Sequence, residues 1–180
     1  MSGWRTHSSR IVYDNPWIRV REDQVTRPDG NPGRYGVVEV KHPSVFVVAL
    51  TEDDEVVLVE VYRYPLQRTS WEIPAGGSDG EPPLAAAQRE LREETGLAAS
   101  DWQEIGQMSA LNGVCSAPEH VFLARGLSRV GGVGAAEEGI IGSRRLRWAE
   151  VWDLIASGGI DDGETIAAPG FAAVALGRIG

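Results

Sequence analysis

The stretch that most constrains this chain runs from Trp71 to Leu97. It opens as a short strand, Trp71-Glu72-Ile73, and passes into the glycine-rich loop Ala75-Gly76-Gly77-Ser78-Asp79-Gly80. It then continues as a helix. Pro82 and Pro83 fall in the first turn, where a helix tolerates proline. Leu84, Ala87 and Leu91 recur on one face at helical spacing, and Gly96 supplies a left-handed cap. Glu90 and Glu94 are four residues apart and share a face, with Glu93 beside them. Like charges at these spacings repel by about 0.2–0.5 kcal/mol per pair. Taken alone, such a helix describes a solvated face, and Arg89 and Arg92 offset part of the repulsion. The strand–loop–helix setting favours another compensation. A Mg²⁺ or Mn²⁺ ion takes hard carboxylate oxygens and keeps its remaining positions for water and phosphate.

The elements around this stretch suggest its scaffold. Trp17 to Val25 and Tyr35 to Val40 read as strands on either side of the turn Pro28-Asp29-Gly30-Asn31-Pro32-Gly33. The apolar run Val45 to Leu50 and the run Val56 to Tyr62 flank the acidic turn Glu52-Asp53-Asp54-Glu55, which predicts a hairpin or meander. Trp102 to Met108, His120 to Ala124 and Leu146 to Trp148 read as further strands. Gly126 to Gly142 reads as a loop rich in glycine. Ala149 to Ala156 is a helix, and Glu164 to Leu176 is a second one that Pro169-Gly170 should interrupt. Strands, helix, strands, helix is the order of an α/β domain, a mixed sheet with helices on its faces.

At 180 residues the chain has the length of one domain, with 42% hydrophobic and 24% charged residues. A net charge of -9 argues against a sequence-independent grip on nucleic acid. It leaves phosphate-bearing small molecules open, because a bound cation reverses the local field. No apolar run approaches the ~18 residues of a membrane span. The first residues lack the pattern of a secretory signal, and the lone Cys115 builds no disulfide framework within one chain. These features predict a cytoplasmic protein with no membrane partner.

From Glu81, seven residues lead to Arg89-Glu90-Leu91-Arg92-Glu93-Glu94-Thr95-Gly96-Leu97. This resembles the signature of the Nudix hydrolases, a glycine, five residues, a glutamate, seven residues, and then R-E-U-x-E-E-x-G-U with U aliphatic. The flanking segments Val61-Tyr62-Arg63-Tyr64-Pro65, Trp71 to Gly76 and Gly159 to Thr165 are similar to ADP-ribose-pyrophosphatase-type members. One departure stands out: the glycine position is held by Ala75, and only four residues separate Gly76 from Glu81. A second is Gly113, where ADP-ribose members often carry a proline; the nearest here is Pro118.

The resemblance implies an α/β/α sandwich over residues 41–180, preceded by an N-terminal β-region over 1–40 that contributes to a homodimer. It implies that Glu90 and Glu94 ligate Mg²⁺ or Mn²⁺, that Glu93 is a ligand or a base acting through water, and that the carbonyl of Ala75 or Gly76 joins them. Glu81 and Arg89 would brace the loop against the helix. Glu138, beside Glu137, would be the base on a downstream loop, with Glu119 a weaker contender. Arg63, Trp71 and Glu72 would face the substrate, Arg63 by pairing a phosphate and Trp71 or Tyr62 by stacking on a base. The implied reaction is hydrolysis of a nucleoside diphosphate linked to another moiety, ADP-ribose or a related nucleotide sugar first. The alternatives are dinucleoside polyphosphates, oxidised nucleotides, or a nucleotide-binding module without turnover.

Overall fold

A computed structural model describes residues 3–131 and 139–179. Three strands open the chain, β1 (Arg5–Asp14), β2 (Ile18–Thr26) and β3 (Pro32–Val40). β4 (Ser44–Ala49), β5 (Glu55–Arg63), β6 (Arg68–Glu72) and β7 (Ala75–Gly77) lead to helix α1 (Pro83–Thr95). β8 (Leu97–Ser109), β9 (Cys115–Ser116), β10 (Pro118–Arg129) and β11 (Ile140–Arg147) precede α2 (Trp148–Ser157) and α3 (Gly163–Ala175).

The strands form sheets ordered β1-β2-β3-β9, β7-β4-β10-β8 and β11-β5-β6. The second is mixed, since β4 runs parallel to β10 while β7 and β8 run antiparallel to their neighbours. Side chains alternate across β4. Val45, Val47 and Ala49 point into one core with Ala86, Ala87 and Leu91 of α1. Val48 and Leu50 point into another with Ala168 and Ala172 of α3 and Val151 of α2. Helices therefore cover both faces, as expected for an α/β/α arrangement. Among the described residues no helix is long and apolar enough to cross a membrane.

Several expectations change. β4 and β5 do not form a hairpin: they lie in different sheets, joined by a bridge between Leu50 and Val56. Both are buried almost throughout, and an apolar run that is covered on both faces carries no mark of its partner strand. β1 extends the N-terminal β-region back to Arg5; all ten of its residues are exposed, so no inward–outward alternation marks it in the sequence. β10 runs on to Arg129, into the region read as loop. α3 continues through Pro169, which gives up one backbone donor while Ala168, Pro169, Ala172 and Ala173 are buried. Leu84, assigned to the apolar face of α1, is 42% exposed. The buried stripe is Ala86, Ala87, Glu90, Leu91 and Glu94, so two of the carboxylates lie inside it.

Candidate active site

The site begins with the turn that joins β7 to α1. Asp79 and Gly80 both have positive φ, 50° and 87°, and the Glu81 N–H donates to the Ser78 carbonyl at 2.8 Å. Two left-handed central residues are the mark of a primed turn, for which Asp-Gly is a favoured pair. This tight reversal accounts for a loop one residue shorter than the signature.

The turn sets β7 against α1. Gly76 faces Glu90 so closely that a Cβ there would lie 2.6 Å from Glu90 Oε2 and closer still to Oε1. The Ala75 N–H donates to Glu94 Oε2 at 3.0 Å. Val47 N–H donates to the Pro74 carbonyl and Ser78 N–H to the Pro43 carbonyl, which fixes the ladder between β4 and β7. Alternation along that ladder turns the N–H and C=O of Ala75 to the free edge of β7, the edge that meets Glu94. Glu90 and Glu94 are only 3% and 8% exposed.

Arg89 gathers the rest. Its guanidinium donates to Glu81 at 3.0 Å, Glu90 at 2.7 Å, Glu93 at 3.1 Å and the Gly77 carbonyl at 2.8 Å. Burial works against its charge, but the bonds to Glu81, Glu93 and Glu90 outweigh that and raise its pKa. Glu81 and Arg89 thus clasp loop and helix together. Glu93 sits at the rim, shared with Arg92 at 3.7 Å. Among the described residues no three His, Cys, Asp or Glu side chains converge as a ready-made metal cage, since Glu93 is turned towards the two arginines. The donor set nevertheless suits a hard divalent ion: every group is an oxygen, and Gly76 leaves open the space before Glu90 that any side chain would fill.

A second group adjoins the first. Arg63, at the end of β5, forms a forked pair with Glu72 of β6, with Nε 3.0 and 3.1 Å from the two carboxylate oxygens. That bond, against burial, raises the Arg63 pKa, with further help from Asp162 and Glu94. Glu72 is 4% exposed. The pair lines a cavity of about 240 Å³ with Ser70, Asp161 and Asp162. Asp162 caps α3 by accepting the Thr165 N–H at 2.8 Å, and the Thr165 hydroxyl accepts the Ile73 N–H at 3.2 Å. The start of α3 is thereby tied to the strand that carries Glu72.

Arg63→Ala should lower stability by about 1–3 kcal/mol, the cost of leaving a buried acceptor without its partner. Arg68→Ala removes an exposed pair with Asp161 and should change it by about 1 kcal/mol or less. Urea midpoints check both; equal effects would show that burial of Glu72 carries no energetic weight.

Trp71 is a correction. It projects from the opposite face of β6 to Glu72, packs against the α2–α3 core, and has Arg144 stacked 3.9 Å from its ring centroid. The surface expected to take a base is already covered. Glu138 lies outside the described residues. Glu119 is 5% exposed and lines a cavity of about 460 Å³ together with Glu164. Nothing in the spacing of Glu119, Asp162 and Glu164 groups them; the acidic cap before Thr165 was the available signal that α3 starts here.

Comparison with known proteins returns two family models. One, described as the nucleoside diphosphate sugar hydrolase N-terminal domain, matches residues 4–38, and the NUDIX domain matches residues 40–132. The ADP-ribose pyrophosphatase of Mycobacterium tuberculosis is 38% identical over 130 residues, covering 71% of this chain and 62% of that protein. The methanol dehydrogenase activator of Bacillus methanolicus is 30% identical over 167 residues, 91% of this chain and 89% of that protein. A solved structure titled as an ADP compounds hydrolase superposes with a TM-score of 0.85 at 20% identity, covering 98% of this chain and 97% of that one. This last likeness concerns the fold.

Proposed function

Because the chain belongs to the Nudix hydrolase family, we propose that it hydrolyses the diphosphate of a nucleoside diphosphate sugar, ADP-ribose foremost, to two monophosphates. The observation that carries the reading is the burial of Glu90 and Glu94 against the β7 edge, clasped by Arg89. The N-terminal family model and the ADP-ribose pyrophosphatase relative support the sugar class.

In the reaction one phosphorus gains a water oxygen, its bond to the bridging oxygen breaks, and that oxygen leaves with the other phosphate. The family's divalent ion, Mg²⁺ or Mn²⁺ in this reading, would be held by Glu90, Glu93, Glu94 and the Ala75 carbonyl and would supply charge neutralisation and water activation. Arg89 keeps the glutamates together despite their repulsion and anchors the Gly77 carbonyl. Glu93, half-buried at the rim, is the carboxylate best placed to exchange its arginine partners for a water proton. Arg63, half exposed beside this rim, offers the guanidinium face not engaged by Glu72 to a phosphate.

A panel of ADP-ribose, other nucleotide sugars, dinucleoside polyphosphates and oxidised nucleotides, run with Mg²⁺ and with chelator, tests the proposal. ADP-ribose should yield AMP and ribose 5-phosphate only with metal. Preferred turnover of a polyphosphate or oxidised nucleotide would overturn the substrate class.

Residues 1–40 form, in this reading, a pairing region for a homodimer, and 41–180 the hydrolase unit. β1 is a long exposed edge strand, and Ile11, Val12, Tyr13 and Trp17 are 49%, 46%, 54% and 70% exposed. Such an edge is ordinarily covered. Light scattering should give twice the 19.4 kDa chain mass; the single-chain mass at micromolar concentration would refute pairing.

A further inference from the structure

A cavity of about 350 Å³ lies at the end of α1 away from the glycine turn, walled by β5, β11, the start of β8 and the end of β10. Among the described residues neither the clasp on α1 nor the pair between Arg63 and Glu72 lines it. Its floor is apolar: Val57 and Leu97 are 2% and 5% exposed and belong to the core beneath α1. The strand register sets an arginine opposite each, Arg145 against Val57 and Arg129 against Leu97. Cross-strand partners share a face of the sheet, so both guanidinium groups stand over this floor. Ser143, two residues before Arg145, is on the same face. Arg144 turns to the other face and stacks on Trp71.

The charges here are uncompensated. Among the described residues neither Arg129 nor Arg145 has an ion-pair partner. Elsewhere in this chain of net charge -9, even exposed arginines such as Arg10, Arg125 and Arg178 are paired with a carboxylate. Two cations at one concavity raise a positive potential that a bound anion relieves. Two groups oppose it. The α1 C-terminus turns carbonyl oxygens towards this end, but the Gly96 carbonyl already accepts the N–H groups of Val130 and Gly131 at 3.0 and 3.2 Å. Glu55 also lines the cavity, and Arg147, its partner across the ladder, acts on it. Two free guanidinium groups against one shared carboxylate leave the cavity basic.

We propose that this cavity is a second anion site, which takes a phosphoryl dianion between Arg129, Arg145 and the Ser143 hydroxyl. The donors come from two strands and converge from different directions. A tetrahedral phosphoryl group, with three terminal oxygens, can accept from all of them, whereas a flat carboxylate presents two oxygens in one plane. The Thr95 hydroxyl is no rival donor, since it is spent on the Leu91 carbonyl. The volume is within the range of about 300–1,000 Å³ usual for small-ligand pockets. Inorganic phosphate and the phosphoryl end of a sugar phosphate share this chemistry. The site does not depend on the hydrolase reading, because none of its groups belongs to the clasp.

The test is calorimetric titration of the full chain, in chelator and at low ionic strength, with inorganic phosphate and separately with ribose 5-phosphate. One saturable site per chain is expected. Inorganic phosphate bound as tightly as the ester would assign the free anion. An ester bound about tenfold more tightly would assign an organic phosphate. Arg129→Gln and Arg145→Gln should each weaken binding about tenfold or more, the size of a lost hydrogen bond to a charged group. Glu55→Gln should tighten it several-fold, by removing the carboxylate that opposes the anion. Arg63→Gln, at the other arginine facing a phosphate, should leave it unchanged. Arg129 and Arg145 are exposed, so both variants should keep a Tm close to wild type. No saturable binding below about 10 mM, equal binding in wild type and both arginine variants, or loss in Arg63→Gln alone would overturn the site. The titration needs neither metal nor turnover. A chain that binds phosphate here and hydrolyses no nucleotide sugar would refute the proposed reaction and keep the site.

Discussion

Glu94→Gln is expected to lower metal-dependent turnover of ADP-ribose by about two to three orders of magnitude. Charge stabilisation by a bound ion is worth several kcal/mol, and each ~1.4 kcal/mol is tenfold in rate. The amide oxygen of glutamine still accepts the Ala75 N–H that Glu94 takes at 3.0 Å. The join between β7 and α1 should therefore survive while a ligand charge is lost. Initial rates across a metal titration measure the first effect and thermal unfolding the second. The expected result is a large loss of rate at every metal concentration with a Tm close to wild type. Turnover like that of the wild type would remove the α1 carboxylates from the reaction.

The second large effect is expected from Gly76→Ala. A Cβ at Gly76 lands on the Glu90 carboxylate, 2.6 Å from Oε2 and closer to Oε1 and Cδ. Glu90 is buried and held by Arg89, so it has little room to yield. Overpacking of this kind costs about 1–3 kcal/mol. Displacing a ligand by even ~1 Å can cost about a hundredfold in rate. Gly77→Ala is the control, because a Cβ there meets only Asp79 Oδ1, at an ordinary 3.5 Å. It should change stability by about 0.5 kcal/mol or less. Denaturation midpoints and kcat for the two variants decide the matter. Equal behaviour of the two glycines would mean that the contact with Glu90 is relieved by an easy shift of the loop.

These two experiments mark where the sequence and the structure divide. α1, its proline start and its Gly96 cap were legible, because helix ends follow local backbone rules that neighbouring residues state directly. The carboxylates and the bracing pair were legible too, since spacing along a helix fixes which side chains can meet. The Asp79-Gly80 turn is written in the sequence as a favoured pair for two left-handed residues. Burial was not legible. Glu90 and Glu94 lie in the apolar stripe of α1, whereas Leu84, the apolar residue, faces solvent. Helical periodicity gives relative angles, and only the packing against β4 and β7 says which angle is inward.

Long-range pairing escaped for a related reason. Nothing local marks Glu72 as the partner of Arg63, or Trp71 on the other face of the strand as the seat of Arg144. Glu119 and Glu164 are 45 residues apart and share a cavity only because α3 docks beside the start of β10. By itself the sequence determined the acidic helix, its glycine turn and the class of chemistry they suit, because those depend on local geometry. The tertiary structure decided which carboxylates are buried, which glycine must be a glycine, and which acids share a cavity. Those depend on what is packed against each side chain, and no local spacing records it.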